Sequence, residues 1–515
     1  MNLHVRPHFR VLPKQTVGLV LGPAIFAGLI LWLVVLTPEP QAMVDAAVQV
    51  GSPPWAPVVA LGALLWILTW WLTECIPLGL AALLAPLIFC TTGIVPWKSA
   101  LGSFTDPIIW IFIAGFVLAA AFRKWDLDRR ISVRLASLYK GNNPMVAALF
   151  VASLPVFLLT LTGSITASTS VVLPFLVAYL SMIGVKGKSR FSEASTLALA
   201  QAATAGAMLL LISTPPNLIA KSTLATLPNG ARYDLTFLDW LIVGTPQAFF
   251  GLFISWAVTF AFIRPEMKSL DVDRRKLAEV RQELGPMSRG EKVVAGLLMT
   301  AVALWLLPSV VKIAAESNAA LGPVADQLGT YMPEAMPAVL VILAAGLLRV
   351  HKEPLLRWSE IAGGIDWNVV FLFGGGIALG IGLEASGFAA WLASFIGACL
   401  GAGAGAWTIF AVSALLGFVL SYAASNTAAA LIGCPIAASL AIGACVNPVG
   451  PVVAAALACS ISSAIPSTTP PMAIVYSSGR VKIWDMFKVG MVSDLLRLTV
   501  LILTGPILIG LVFPG

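Results

Sequence analysis

Long apolar stretches alternate with short polar connections along the whole chain. Eleven stretches, near 17–36, 55–73, 77–95, 107–123, 194–222, 241–263, 293–313, 335–349, 368–386, 450–479 and 489–512, read as membrane crossings. About 20 helical residues span a hydrocarbon core of about 30 Å. Two further segments, Pro144 to Gly184 and Ala389 to Ala444, must enter and leave on one side, as hairpins, for the polar connections to alternate. The pattern predicts an all-α integral membrane protein with about eleven transmembrane helices plus two re-entrant hairpins.

Composition supports a bilayer as the main solvent. Over 515 residues, hydrophobic side chains make up 59% and charged ones 11%, against about a quarter charged in a globular domain. The 44 glycines and 34 prolines are plentiful inside the apolar stretches, which membrane helices tolerate because neighbours satisfy the freed backbone groups. Cys75, Cys90, Cys399, Cys434, Cys445 and Cys459 lie in or beside apolar stretches with no Cys-x-x-Cys pair, and read as small packing residues. His4, His8 and His351 lie in polar segments, so a membrane metalloenzyme has almost nothing with which to hold its metal.

The net charge of +7 reflects loop placement and not a nucleic-acid partner. Arg123, Lys124, Arg129, Arg130, Arg134 and Lys140 follow one apolar stretch, and Lys186, Lys188 and Arg190 another. Segment 264–292 carries Lys268, Arg274, Arg275, Lys276, Arg281 and Arg289 among acids, and reads as a solvated, partly helical linker. Arg349, Lys352 and Arg357, then Arg480, Lys482 and Lys488, complete the set. The intervening connections are nearly free of Lys and Arg, which places the basic set and the N-terminus in the cytoplasm. The first apolar stretch, Val17 to Leu36, follows Arg6, Arg10 and Lys14. It is longer than the apolar core of a signal peptide, about 7–15 residues, and is expected to be retained. A cell inner membrane follows as the expected location.

The two halves resemble each other. Phe112-Ile113-Ala114-Gly115 matches Phe373-Gly374-Gly375; Ser164-Ile165-Thr166-Ala167 matches Ser425-Asn426-Thr427-Ala428; Ser213-Thr214-Pro215-Pro216 matches Thr468-Thr469-Pro470-Pro471. The expected plan is 1–54 as first helix and outside loop, 55–263 as the first repeat, 264–292 as linker and 293–515 as the second repeat. The hairpins lie near 144–184 and 389–444, and the broken helices near 194–222 and 450–479. Because the hairpins open to opposite sides, the repeat is inverted.

Paired interruptions in an inverted repeat point to a transporter's binding site. Proline lacks the helical donor and clashes with the preceding turn, and non-helical backbone at membrane depth must be buried or line a cavity. Such breaks expose N–H groups that attract anions and carbonyls that hold a hard cation. Serine and proline in a single helix often only back-bond or kink it, but four breaks in matching positions point to a site. Lys221 is the one Lys or Arg near the breaks.

At these residues the chain resembles the divalent anion–sodium symporter family, carriers of dicarboxylates, citrate or sulfate. The resemblance runs from Trp55 onward and rests on Trp70-Trp71-Leu72-Thr73-Glu74-Cys75-Ile76-Pro77, the two tips, Thr214-Pro215-Pro216-Asn217 and Thr469-Pro470-Pro471-Met472-Ala473-Ile474-Val475-Tyr476. It implies one sodium site at Thr160, Ser164, position 165 and Gly206, and another at Ser421, Ala424, Asn426 and Thr468. It implies that substrate meets Thr166, Asn426, Thr427, Thr469 and Pro470, with Ser164, Ser425, Thr214 and Pro215 beside them. It also implies a homodimer and elevator-like movement.

Two departures stand out. Position 165 is isoleucine where the family has asparagine, and Met472 stands where asparagine is common. A weakened first cation site is expected, or Ser168 or Thr169 in its place. Lone charges in or beside apolar stretches are Glu74, Asp106 and Glu384, read as interfacial, and Asp494 with Arg497, read as a local ion pair. The expectation is a carrier of C4-dicarboxylate-like divalent anions driven by Na⁺, and not an enzyme. Sodium-independent exchange on the same architecture and a passive anion channel are the rivals.

Overall fold

The computed structural model describes residues 13–35, 40–185, 189–227, 230–270, 279, 281–400 and 405–513. Arg6, Arg10, Lys186, Lys188, Arg274, Arg275, Lys276, His4 and His8 lie outside them, as does the side chain of Cys399. The protein is all-α; strand among the described residues amounts to Arg349–Val350 paired with Glu353–Pro354. Cys75, Cys90, Cys434, Cys445 and Cys459 are free thiols.

Eleven helices among the described residues are long and apolar enough to cross a membrane. The number matches the expectation, but the membership differs. Four are hairpin arms: Pro144–Thr162, Ile165–Met182, Ala406–Ala423 and Asn426–Gly443. Protein covers them unequally: 72% of the Asn426–Gly443 window and 61% of Pro144–Thr162 are buried, against 44% for each of the other two arms. The stretch expected to cross at 77–95 is two short helices, Leu78–Ala82 and Leu84–Thr91. The stretch at 335–349 is the helix Ala335–Leu347, bent by 62° from Ala319–Tyr331.

The chain forms two compact units. The first joins Met1–Thr105 with Trp367–Phe395. Here Pro13–Val35 packs on Ala56–Thr73, and Trp367–Ala385 packs on the two short helices. The Phe373-Gly374-Gly375 motif is a packing surface: a Cβ on Gly375 would lie 2.4 Å from the Ala82 carbonyl oxygen. Two bonds fix the register, from Gly79 N to Asn368 Oδ1 (2.8 Å) and from the Ser103 hydroxyl to the Gly374 carbonyl (2.8 Å). Glu74 and Glu384 sit at helix ends in this unit.

The second unit, Asp106–Asp366 with Ile396–Gly515, holds both hairpins and both breaks. Asp106 caps its first helix, Pro107–Lys124, accepting from Ile108 N at 2.9 Å. The first hairpin descends through Pro144–Ala148, a π-helical turn at Leu149–Ser153 and Leu154–Leu159 to a 3₁₀ turn at Thr160–Thr162. It reverses at Gly163, whose φ of +90° suits glycine, and whose Cβ, if present, would meet Gly115 Cα at 3.0 Å. The return arm is Ile165–Met182. The second hairpin is Ala406–Ala423 followed by Asn426–Gly443. It begins later than expected, because Phe388–Leu400 is a separate helix.

Each hairpin is followed by a broken segment: Arg190–Gly206 and Pro215–Thr226 in the first half, Val449–Cys459 and Pro470–Ser477 in the second. Thr214 and Thr469 are extended (φ −156°, ψ 152° and φ −142°, ψ 148°), as a residue before proline prefers, and the prolines open the next helix. Long helices, Phe237–Phe262 and Ile483–Val512, close each half and pack on one another. The arrangement is crosswise: Ile165–Met182 packs on Pro470–Ser477, and Asn426–Gly443 on Pro215–Thr226. The linker's end is pinned where a solvated segment was expected. Arg130 donates to the Leu284 and Gly285 carbonyls, each at 2.8 Å, and pairs with buried Glu291.

Candidate functional site

Capping positions the tips. Ser164 accepts from Ala167 N at 3.1 Å and Ser425 from Ala428 N at 3.3 Å, so each return arm starts on a serine N-cap. The side chains just inside these caps differ between halves, and the difference decides the chemistry.

At the second tip three oxygens converge on the hydroxyl of Ser421, which is fully buried. Its hydroxyl lies 2.8 Å from Asn426 Oδ1, 2.7 Å from the Cys459 carbonyl and 2.6 Å from the Ser462 hydroxyl. Ser462 in turn reaches Asn426 Oδ1 at 3.3 Å. A hydroxyl has one proton to give, so such a knot is rich in lone pairs facing one another. Neutral oxygens in a water-poor pocket suit a hard monovalent cation. Among the described residues no three His, Cys, Asp or Glu side chains gather, so this donor set is the one on offer.

At the first tip the matching positions are poorer. Thr160, buried, stands where Ser421 does, with its hydroxyl 2.6 Å from the Phe157 carbonyl and 2.9 Å from the Gly206 carbonyl. Gly206 leaves room for that approach, since a Cβ there would lie 2.6 Å from Thr160 Oγ1. In sequence Ile165 matches Asn426 and Ala207 matches Ser462, so neither offers the side-chain oxygen present at the second tip. Ser168 and Thr169 do not turn toward the gap. Their hydroxyls donate back to the Ser164 and Ile165 carbonyls at 2.7 and 2.8 Å.

The other expected residues divide by exposure. Thr166 and Pro470 are exposed, and Ser164, Pro215, Ser425 and Thr427 are half-buried, so all six are open to a ligand. Thr214 and Thr469 are buried, and Thr469 Oγ1 has no hydrogen-bond partner. Ala424 and Thr468 do not join the Ser421 knot through side chains: the Thr468 hydroxyl donates to the Ile465 carbonyl at 2.8 Å, and Ala424 has only backbone to offer.

Three participants escaped the sequence reading. Ser462 and the Cys459 carbonyl complete the second knot. Asn217 braces the first break, with Nδ2 donating to the Ala207 and Leu210 carbonyls at 2.8 Å each and a buried Oδ1 without a partner. The polar Ser460-Ile461-Ser462-Ser463 run inside an apolar segment was the available signal for Ser462.

Charge near the breaks is tied down. Lys221 pairs with Asp234 at 2.8 Å and Glu334 at 3.2 Å. Asp494 and Arg497 do pair, at 3.6 Å, but they are more than a local pair. Asp494 takes Ser463 N–H at 2.5 Å and its hydroxyl at 2.7 Å. Arg497 donates to Thr204 at 3.1 Å and to the Ile461 carbonyl at 3.2 Å, joining the first break to the second. Both side chains are buried.

Comparison with known proteins agrees with this architecture. A "Sodium-dependent dicarboxylate transporter SdcS" of Staphylococcus saprophyticus is 31% identical over 503 residues, 95% of this chain and 90% of that protein. Its namesake in Staphylococcus aureus strain USA300 is 30% identical over 501 residues, with the same coverage. The solved structure of Neisseria gonorrhoeae MtrF, described among "a Class of Antimetabolite Efflux Pumps", shares the fold at a TM-score of 0.51 and 14% identity, over 81% of this chain and 83% of that one. The family profile "Sodium:sulfate symporter transmembrane region" matches residues 24–512, and the chain belongs to that family.

Proposed function

We propose that this protein is a secondary active transporter that couples movement of a divalent organic anion of the C4-dicarboxylate kind to sodium. The Ser421 knot carries the reading: three side-chain oxygens and a carbonyl meet within hydrogen-bond distance at a break in a membrane segment. Family membership and the printed names of the Staphylococcus relatives support the same pairing of ion and anion.

In this reading Na⁺ sits among Ser421, Asn426, Ser462 and the Cys459 carbonyl. The anion lies against Thr166, Thr427, Thr214, Thr469, Pro215 and Pro470, near the N-capping Ser164 and Ser425. Four helices begin at these residues, and helix N-termini favour negative charge. Bound sodium supplies the remaining countercharge, since Lys221 is engaged elsewhere. Inverted repeats, elevator-like movement of the hairpins, a homodimer and a bacterial inner membrane with the basic loops inside complete the proposal.

Ile165 and Ala207 favour a second reading on the same fold, sodium-independent exchange of anions, because they strip the first tip of ligands. Uptake of radiolabelled succinate into proteoliposomes separates the two. Uptake that follows an inward sodium gradient supports symport; uptake that needs only internal anion supports exchange. Uptake that neither saturates nor shows counterflow would indicate a channel and overturn both.

A further inference from the structure

Where the helix Arg190–Gly206 begins, beside the turn between Pro470–Ser477 and Ile483–Val512, lies a cleft of about 540 Å³. That is within the range of small-ligand sites, about 300–1,000 Å³. Ser189, Arg190, Glu193, Tyr476, Arg480 and Lys482 line it, three cations against one carboxylate. The carboxylate is already engaged: Glu193 accepts from Lys482 N at 2.8 Å and lies 3.7 Å from its Nζ. Arg480 donates to the Ser192 hydroxyl at 2.8 Å. Asp485 lies 4.0 Å from Lys482 Nζ and tempers that one cation. Arg190 is exposed and makes no side-chain bond among the described residues.

Next to the cleft starts an apolar stripe. Trp484 and Phe487 meet edge-on at 6.2 Å at the head of Ile483–Val512, and half-buried Met491 and exposed Leu495 follow on the same side of that helix over about two further turns. Only 22% of its apolar window is buried by protein. A cationic cleft, an aromatic pair and a bare aliphatic stripe in sequence have the outline of a phospholipid: anionic headgroup, interface, acyl chain.

We infer that this face is a specific site for one anionic phospholipid, its phosphate held by Arg190, Arg480 and Lys482 and its chains laid along Trp484 to Leu495, about 17 Å of helix. The headgroup bridges the start of the first half's broken segment to the joint after the second half's break. Lipid of the right charge therefore ties the two halves together. The inference needs the membrane setting but not the identity of the transported anion.

The test is native mass spectrometry of the full-length protein in detergent, titrated with phosphatidylglycerol or with phosphatidylcholine of the same chains. Parent protein should retain phosphatidylglycerol in preference, and R190Q and K482Q should each weaken retention about fivefold, the worth of one basic residue at an anionic surface. K98Q, a single exposed cation elsewhere, should leave it unchanged, and so should millimolar inorganic phosphate if a lipid and not a free anion is the ligand. W484A separates chain from headgroup binding and should weaken both lipids alike. Equal retention of the two lipids by parent protein, no loss in R190Q and K482Q, or displacement by inorganic phosphate would overturn the assignment. Succinate uptake by the same variants in proteoliposomes keeps that result apart from failure of the transport reading.

Discussion

The Tyr422 hydroxyl donates to Asp494 Oδ2 at 2.6 Å, joining the second hairpin to the closing helix across 72 positions of sequence. Tyr422 lies beside Ser421, so the carboxylate that receives Arg497 also steadies the arm bearing the cation knot. Removing the carboxylate leaves Arg497 buried without its countercharge. D494A is expected to lose about 3–5 kcal/mol, and Y422F about 1–3 kcal/mol. Thermal unfolding in detergent measures both, and the double variant should lose less than the sum because the groups share one network.

Asn426 and Ser462 each supply one oxygen to the second tip. N426A and S462A should raise the sodium concentration for half-maximal succinate uptake about tenfold each, equivalent to about 1.4 kcal/mol. Without sodium each variant should also lose about 0.5–1.5 kcal/mol of stability, the worth of a buried hydrogen bond to Ser421, so the shift in sodium dependence is the readout that speaks for ion binding. Unaltered sodium dependence in N426A would remove the knot from the coupling mechanism.

In the proposed reading Ile165 leaves the first tip without the amide that Asn426 supplies to the second. I165N, combined with A207S, rebuilds the missing oxygens around Thr160. Uptake should then depend more steeply on sodium, with a Hill coefficient rising from about one toward two as a second ion joins. If sodium dependence and succinate affinity both stay as in the parent, the first tip has no part in coupling.

Gly417 lets the first arm of the second hairpin rest on the backbone beside the second break: a Cβ there would lie 2.3 Å from the Ala455 carbonyl oxygen. G417A should destabilise the protein by about 1–3 kcal/mol through overpacking. G510A, whose Cβ would meet nothing within 4 Å, should leave the unfolding midpoint level or slightly raised. A matched fall in both would mean that general loss of helix flexibility, and not this contact, is responsible.

Much of the architecture was legible because hydrocarbon demands it. Apolar length sets helices, and polar or proline-rich interruptions inside them have few tolerable explanations, which is how Ser425-Asn426-Thr427 and both Thr-Pro-Pro breaks could be read. What escaped depends on tertiary approach. Ser462 is one serine among several until Ser421 arrives from 41 positions away, and the Cys459 carbonyl has no sequence signature at all. The apolar run at 77–95 hides the division between Leu78–Ala82 and Leu84–Thr91, since hydrophobicity alone does not distinguish a straight span from two short pieces. Asp494 and Arg497 look local at a spacing of three, and only the packed structure shows Thr204 and Ile461 on their far side.

The crosswise packing of hairpin arms on the opposite half's broken helices also sets a timetable for biogenesis. Ile165–Met182 emerges from the ribosome long before Pro470–Ser477 exists to cover it. At about 5–20 residues per second the wait is on the order of tens of seconds. During that interval the first hairpin can pack on its own half, against Arg190–Gly206 and Leu127–Leu138, but not on its later partner. Its serine cap and the back-bonded Ser168 and Thr169 then keep the nascent arm self-sufficient, and the two halves close over each other only when the chain is nearly finished.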